Sequence, residues 1–253
     1  MRGAVFRRTG AALASLLLLL TGGCRSLETA ASSSELITAE GYTAQEIYDY
    51  FAEIAFQSES GGYRGRLCKW TGEIVCYIEG DYTEGEMDVL TDLAARLNTI
   101  SGFPGVRMTA EKEAANFTIS FIMQNELSSL FGPEANHCSG MSKFYWTKEG
   151  GEIVRAETGI ASNITPMNAK ASVICEEFLQ ALGLSSDSYA HPESVFYEGY
   201  NGALRPAEID WALIELLYSE SVSPGMEEAD ALPAVRSLLG LPEENPEKEN
   251  EHE

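Results

Sequence analysis

The chain has 253 residues, 44% of them hydrophobic, and a formal net charge of −22. That length allows one substantial domain with a full core, or two small ones. Three of the 17 basic residues and none of the 39 acidic ones lie in the first 24 positions, so the remainder carries a net charge near −25. Such an excess repels polyanions and excludes nucleic acid and anionic lipid as charge-driven partners.

The N-terminus begins with Arg2, Arg7 and Arg8, followed by the apolar run from Leu13 to Leu20, which is too short to span a bilayer. Thr21-Gly22-Gly23-Cys24 then sets small residues before a cysteine. The pattern resembles a bacterial lipoprotein signal over residues 1–24. The resemblance implies a lipid on Cys24 and, with Arg25 rather than Asp next, an outer-membrane location facing the periplasm. An ordinary secretory signal is the alternative. Residues 25–42 are Ser-, Thr- and Ala-rich and read as a flexible tether.

A single domain is expected over residues 43–240. Thr43 caps a helix to about Phe56, with Ala44, Ile47, Phe51 and Ile54 as its buried stripe. A Gly-rich loop covers Ser58 to Arg66. Trp70 to Ile78 reads as a strand. A helix from about Glu86 to Ile100 follows, stopped by Gly102 and Pro104. Strands are expected over Val106–Thr109, Asn116–Met123, Phe144–Trp146 and Glu152–Ile160, with Ser128 to Ser142 irregular. Pro166 sits near the first turn of the next helix. A later helix starts at Leu204–Asp210 and runs through Tyr218, and a short one falls within Glu227–Gly240. Residues 241–253 form an acidic tail with no apolar residue after Glu243, expected to be disordered.

Four cysteines remain beyond Cys24: Cys68, Cys76, Cys138 and Cys175. An even count in an exported chain reads as two disulfides, with three possible connectivities. The local choice is Cys68–Cys76 and Cys138–Cys175. The absence of CxxC and the presence of only three histidines argue against a zinc site built on these cysteines.

The stretch Val173-Ile174-Cys175-Glu176-Glu177-Phe178-Leu179-Gln180-Ala181-Leu182-Gly183 organises the rest. Cys175, Phe178, Leu179 and Leu182 form one apolar helical face, Glu176 and Gln180 share a second, and Gly183 ends the helix. The spacing resembles the metzincin active-site helix, HExxHxxGxxH, aligned on Gly183. Glu176, Gln180 and Ser186 then stand at the three metal-binding histidine positions, and Glu177 stands at the general-base position. The resemblance extends over roughly Trp70–Tyr218. Ser194-Val195-Phe196 lies at the Met-turn, with Phe196 where the Met would be, and the helix ending at Tyr218 matches the last helix. The implied fold is α+β: a metzincin-like domain with a small mixed sheet, an N-terminal helix pair, a central motif helix and a C-terminal helix. The EExxQxLGL helix with Asp187 soon after, the Ser-Val-Phe segment and the closing Leu-Tyr…Pro-Gly-Met also resemble a bacterial lipoprotein family catalogued as domain of unknown function 2927.

The chemistry of these residues argues against catalysis and against zinc as a cofactor. Gln180 offers only a neutral amide oxygen, Ser186 is poorer still, and without a bound metal Glu177 has no activated water to deprotonate. Catalytic residues are therefore expected to be none, with Glu176, Glu177, Gln180, Ser186 and His191 the remnants of a site. The expected function is a non-catalytic, membrane-anchored lipoprotein that binds a peptide, glycan or envelope protein in the old cleft. The alternative is a metal-dependent hydrolase with a rearranged ligand set of Glu176, Glu177 and His191. His137, beside Cys138, reads as an exposed loop residue.

Overall fold

The computed structural model describes residues 36–57, 65–148, 150–199 and 203–243. The expected signal with Cys24, the first part of the tether, most of the Gly-rich loop and nearly all of the acidic tail lie outside the described residues. A mixed α/β fold is built from strands β1 (Lys69–Trp70), β2 (Ile74–Gly80), β3 (Val106–Thr109), β4 (Phe117–Ile122), β5 (Gly140–Trp146) and β6 (Glu152–Ala161). The helices are α1 (Ala44–Phe56), α2 (Glu84–Leu97), α3 (Leu127–Phe131), α4 (Met167–Gln180), α5 (Glu208–Tyr218) and α6 (Glu228–Leu238). No described helix is long and apolar enough to cross a membrane.

The sheet runs β1-β6-β4-β2-β3 with parallel pairing throughout, and β5 pairs antiparallel with β6. A parallel sheet needs cover on both faces. The two faces of β6 show how that is met. Thr158 bonds Ser142 of β5, whose hydroxyl also donates to the Glu177 carbonyl of α4. Gly159 points the other way, where an added Cβ would come within 2.5 Å of Phe131 and 2.7 Å of Leu127 in α3. The missing side chain lets α3 lie directly on the sheet.

Helix α4 is held at both ends. Near its start the Lys170 ammonium donates to Glu86 Oε1 of α2 (2.5 Å) and to the Ser162 carbonyl (2.7 Å). Glu86 also accepts from the Thr83 amide and so caps α2. At the far end, the carbonyls of Ala181 and Leu182 lack partners within the helix. The Trp70 indole N–H takes the first and the Tyr218 hydroxyl the second, both at 3.0 Å. Gly183 then turns the chain at φ +122°. The buried Lys69 ammonium closes α5 in the same manner, donating to the carbonyls of Leu217, Ser219 and Val222, and burial lowers its pKa to about 8.

Several expected elements change. Residues Thr71–Glu73 interrupt the strand expected over Trp70–Ile78, so that β1 pairs with β6 while β2 pairs with β3 and β4. The segment expected to be irregular holds most of α3, one short 3₁₀ turn (Pro133–Ala135) and the first residues of β5. The two N-terminal helices do not form a pair: α1 packs on α5 and α6, and α2 packs on α4.

Neither expected disulfide, Cys68–Cys76 or Cys138–Cys175, is formed. Cys68 abuts Gly183 through its carbonyl, whereas Cys76 sits inside β2 between Met108 and Phe117. Cys175 lies on the core face of α4, where the Asp210 charge acts on it, whereas Cys138 faces the opposite stripe of that helix across a groove. Burial raises the Cys76 and Cys175 thiols to about 12, which suppresses the thiolate needed for oxidation.

Candidate functional site

Val173, Glu176, Glu177 and Gln180 fall at i, i+3, i+4 and i+7, a helical stripe separate from the Cys175–Phe178–Leu179 core face. This stripe forms one wall of an open groove of about 610 Å³. Strand β5 forms the facing wall with Gly140, Ser142, Phe144 and Trp146, and Ser185, Asp187 and Glu198 close the end. Among the described strands β5 pairs with β6 alone, which makes it an edge strand of the described sheet, and it lines the groove. Trp146 is 41% exposed there.

The two walls meet at Gly140. A Cβ on this residue would lie 2.6 Å from both Glu177 Oε1 and Val173 Cγ1. Glycine thus lets the strand backbone reach the Glu177 carboxyl, which is 3% exposed. One turn on, the Gln180 amide donates to Asp187 Oδ1 at 3.1 Å and ties the end of α4 to the loop after Gly183.

The structure therefore brings Glu176, Glu177 and Gln180 together and adds Asp187, whose role was not evident from spacing. Ser186 lies next to them but is buried, and its hydroxyl donates to the Asp187 carbonyl at 3.4 Å. His191 is elsewhere. Its ring stands edge-on to Tyr42 and Tyr50, at centroid distances of 5.5 and 4.6 Å, and its Nδ1 is 3.6 Å from Glu193. The mixed site of Glu176, Glu177 and His191 is thus not assembled. Among the described residues, no three His, Cys, Asp or Glu side chains are grouped to hold a metal ion. Gln180 bonded to Asp187, with Ser186 turned to a carbonyl, does not fit the ligand chemistry of zinc. His137 is strained rather than merely exposed, with φ +72° next to Cys138.

A second cluster fixes the loop that ends the groove. Asp210, the third residue of α5 and fully buried, accepts from Ser194 Oγ (2.5 Å), the Val195 amide (3.1 Å) and the Ala207 amide (2.7 Å). Ser194 Oγ in turn accepts from the Tyr50 hydroxyl (2.7 Å) and the Phe196 amide (3.0 Å). The Ser194–Phe196 turn is thus bonded to α1 and α5, with Phe196 fully buried. Burial raises Asp210 from 3.8 to about 6, against the lowering effect of its three donors. A raised carboxyl favours the folded state below its unfolded pKa and loses that contribution as pH climbs through the folded value. The stability of the protein minus that of Asp210→Asn should therefore fall by about 2 kcal/mol between about pH 4 and pH 7. Urea unfolding of both proteins across that range checks this, and a flat or rising difference contradicts it.

A family model described as Protein of unknown function (DUF2927) matches residues 44–237, from the start of α1 nearly to the end of α6. No curated protein matches the chain.

Proposed function

The chain belongs to the DUF2927 family of proteins, and from that premise we propose that its β5–α4 groove is a non-catalytic binding site for an extended polypeptide, carried on a metzincin-like scaffold and lipid-anchored in the cell envelope. The observation that carries this reading is that β5, an edge strand of the described sheet, lines the same groove as the stripe of α4 that holds Glu176, Glu177 and Gln180. An extended peptide adds to such an edge through main-chain hydrogen bonds, and the facing wall selects its side chains. The order α4, the turn at Gly183, the Ser194–Phe196 turn and α5 ending at Tyr218 supports the metzincin-like reading. The bond from Gln180 to Asp187 joins helix and loop where the template would use a metal. A hydrolase using Glu176, Glu177 and His191 would need His191 to leave its contacts with Tyr42 and Tyr50.

The test uses the emission of Trp146, the half-exposed tryptophan of the groove, Trp70 and Trp211 being buried. Unstructured peptides should shift this emission saturably and be recovered intact by mass spectrometry. Peptide cleavage abolished by Glu177→Gln would contradict the reading, as would the absence of binding by any peptide.

The anchor rests on Arg2, Arg7 and Arg8, the run Leu13–Leu20, and Cys24. In this reading the expected tether of residues 25–42 links the lipid to the folded domain. Cys24→Ser should release the protein from the membrane fraction into the soluble one. Its retention through detergent-free washing would contradict the anchor.

A further inference from the structure

We infer that the loops beyond the carboxyl ends of β2, β4 and β6 form a second binding surface, for a basic amphipathic helix of a partner protein. Three large apolar side chains stand exposed there: Tyr82 after β2, Met123 after β4 and Met167 at the start of α4, each between 39 and 48% exposed. Single apolar residues scattered over a surface need no explanation, but these three are gathered. The Tyr82 ring packs on that of Phe121, with centroids 5.7 Å apart, and Met123 follows two residues later. The Met123 sulfur accepts from the Ser162 hydroxyl at 3.9 Å, in the loop that leads to Met167. The Met167 methyl in turn lies 3.5 Å from where a Cβ on Gly85 would stand, three residues after Tyr82. The β5–α4 groove is lined by other residues. The place is also one where open α/β sheets hold ligands: β2 leads through α2 to β3 on one side, and β4 leads through β5 to β6 on the other.

The backbone of these loops selects a helix over an extended chain. The amides of Asp81 and Ser162 donate to the Phe121 and Ile122 carbonyls, and those of Met123 and Gln124 to the Glu126 and Asn163 side chains, at 2.6–3.1 Å. With those groups occupied, the surface offers apolar side chains rather than a strand edge, and a helix satisfies its own backbone. Methionine suits such a contact, since its flexible, polarizable side chain moulds to varied apolar partners. The charges select the polar part of the partner. Asp81 and Glu84 flank Tyr82, Glu126 follows Met123, and all three are exposed. Nearby basic residues are engaged: Lys170, one turn along α4 from Met167, is buried against Glu86, and Lys112, beyond β3, pairs with Glu79 at 2.6 Å. A rim of this sign favours lysine or arginine beside the apolar anchors and repels anionic lipid. It also disfavours a second copy, whose matching patch would bring the same acidic residues face to face in a chain of net charge −22.

The test titrates the full folded chain with a peptide of about 18 residues that carries leucine on one helical face and lysine on the other, with its leucine–glutamate counterpart, and with a scrambled leucine–lysine sequence lacking a face. The leucine–lysine peptide should gain helical circular dichroism on binding and bind about tenfold tighter than the other two. Met123→Ser combined with Met167→Ser, at exposed positions, should weaken it about tenfold at any salt, through lost apolar burial. Asp81→Asn combined with Glu84→Gln should weaken it about threefold, at low salt alone. The extended peptide that shifts Trp146 emission should bind the methionine double variant as it binds the parent; a loss there too would mean one shared surface and overturn the inference. Absence of binding by the leucine–lysine peptide, equal binding of the scrambled one, binding without gain of helix, or undiminished binding to the methionine double variant would each overturn it as well. So would self-association of the chain, or its capture by anionic vesicles, abolished by that same variant, since the occupant would then be a second copy or a membrane.

Discussion

Gly183→Ala is expected to lower stability by more than about 4 kcal/mol, enough to unfold much of the population at room temperature. Two effects add. At φ +122° a side chain is strained in any surroundings. In addition, a Cβ at this position would run into the backbone oxygen of Cys68, with the Leu217 side chain 3.5 Å away on another side. Cys68 cannot withdraw easily, because the neighbouring Lys69 and Trp70 pair with β6 and cap the ends of α5 and α4. Gly72 is the control: it is exposed and has nothing within 4 Å of a built Cβ. Urea unfolding should show Gly72→Ala within about 1 kcal/mol of the parent. Similar losses at the two glycines would mean that the turn after α4 is not held as described.

The second large effect is expected at Lys170. Its side chain is 10% exposed and that of Glu86 1%, at 2.5 Å. Removing one member of a buried pair strands the other as an uncompensated charge, so Lys170→Met should cost about 3–5 kcal/mol. Lys170→Met combined with Glu86→Gln should recover most of that loss, because the glutamine oxygen still accepts from the Thr83 amide and no charge remains. Burial works to raise Glu86, but the bonds from Lys170 and Thr83 outweigh it and leave its pKa below the ordinary value. A lowered carboxyl contributes stability above its unfolded pKa and loses it as pH falls through the folded value. The gap between the parent and Lys170→Met should therefore be widest near neutral pH and narrow in acid. A gap that widens in acid would contradict the pairing.

The sequence made some of this legible and concealed the rest for physical reasons. Thr43 with Glu46 three residues later marks the start of α1, and both capping bonds are present. The Gly-bounded run Val106–Thr109 coincides with β3, and Gly183 marks the turn after α4. These are local signals. Gly140-Met141-Ser142-Lys143 has no alternating pattern and reads as a loop, yet it is the start of β5. Its strand geometry comes from pairing with β6, and its glycine answers to Glu177 on a distant helix. The face of α4 carrying Glu176 and Gln180 was legible as a face, but not its half-buried place in a groove. His191 shows the opposite failure: proximity in sequence to Asp187 suggested a ligand, while the tyrosines that hold it come from α1 and the residues before it. In the Asp210–Ser194–Tyr50 chain the bond from Tyr50 to Ser194 alone spans 144 positions, beyond the reach of any periodicity.

The central claim, an extended peptide laid along β5, is tested most directly by backbone amide shifts in the full folded chain during titration with a peptide that shifts Trp146 emission. The account predicts the largest changes in Gly140–Trp146 and along Val173–Gln180, with α1 and α6 unchanged. Large changes confined to α1 and α6, or none in β5, would contradict it.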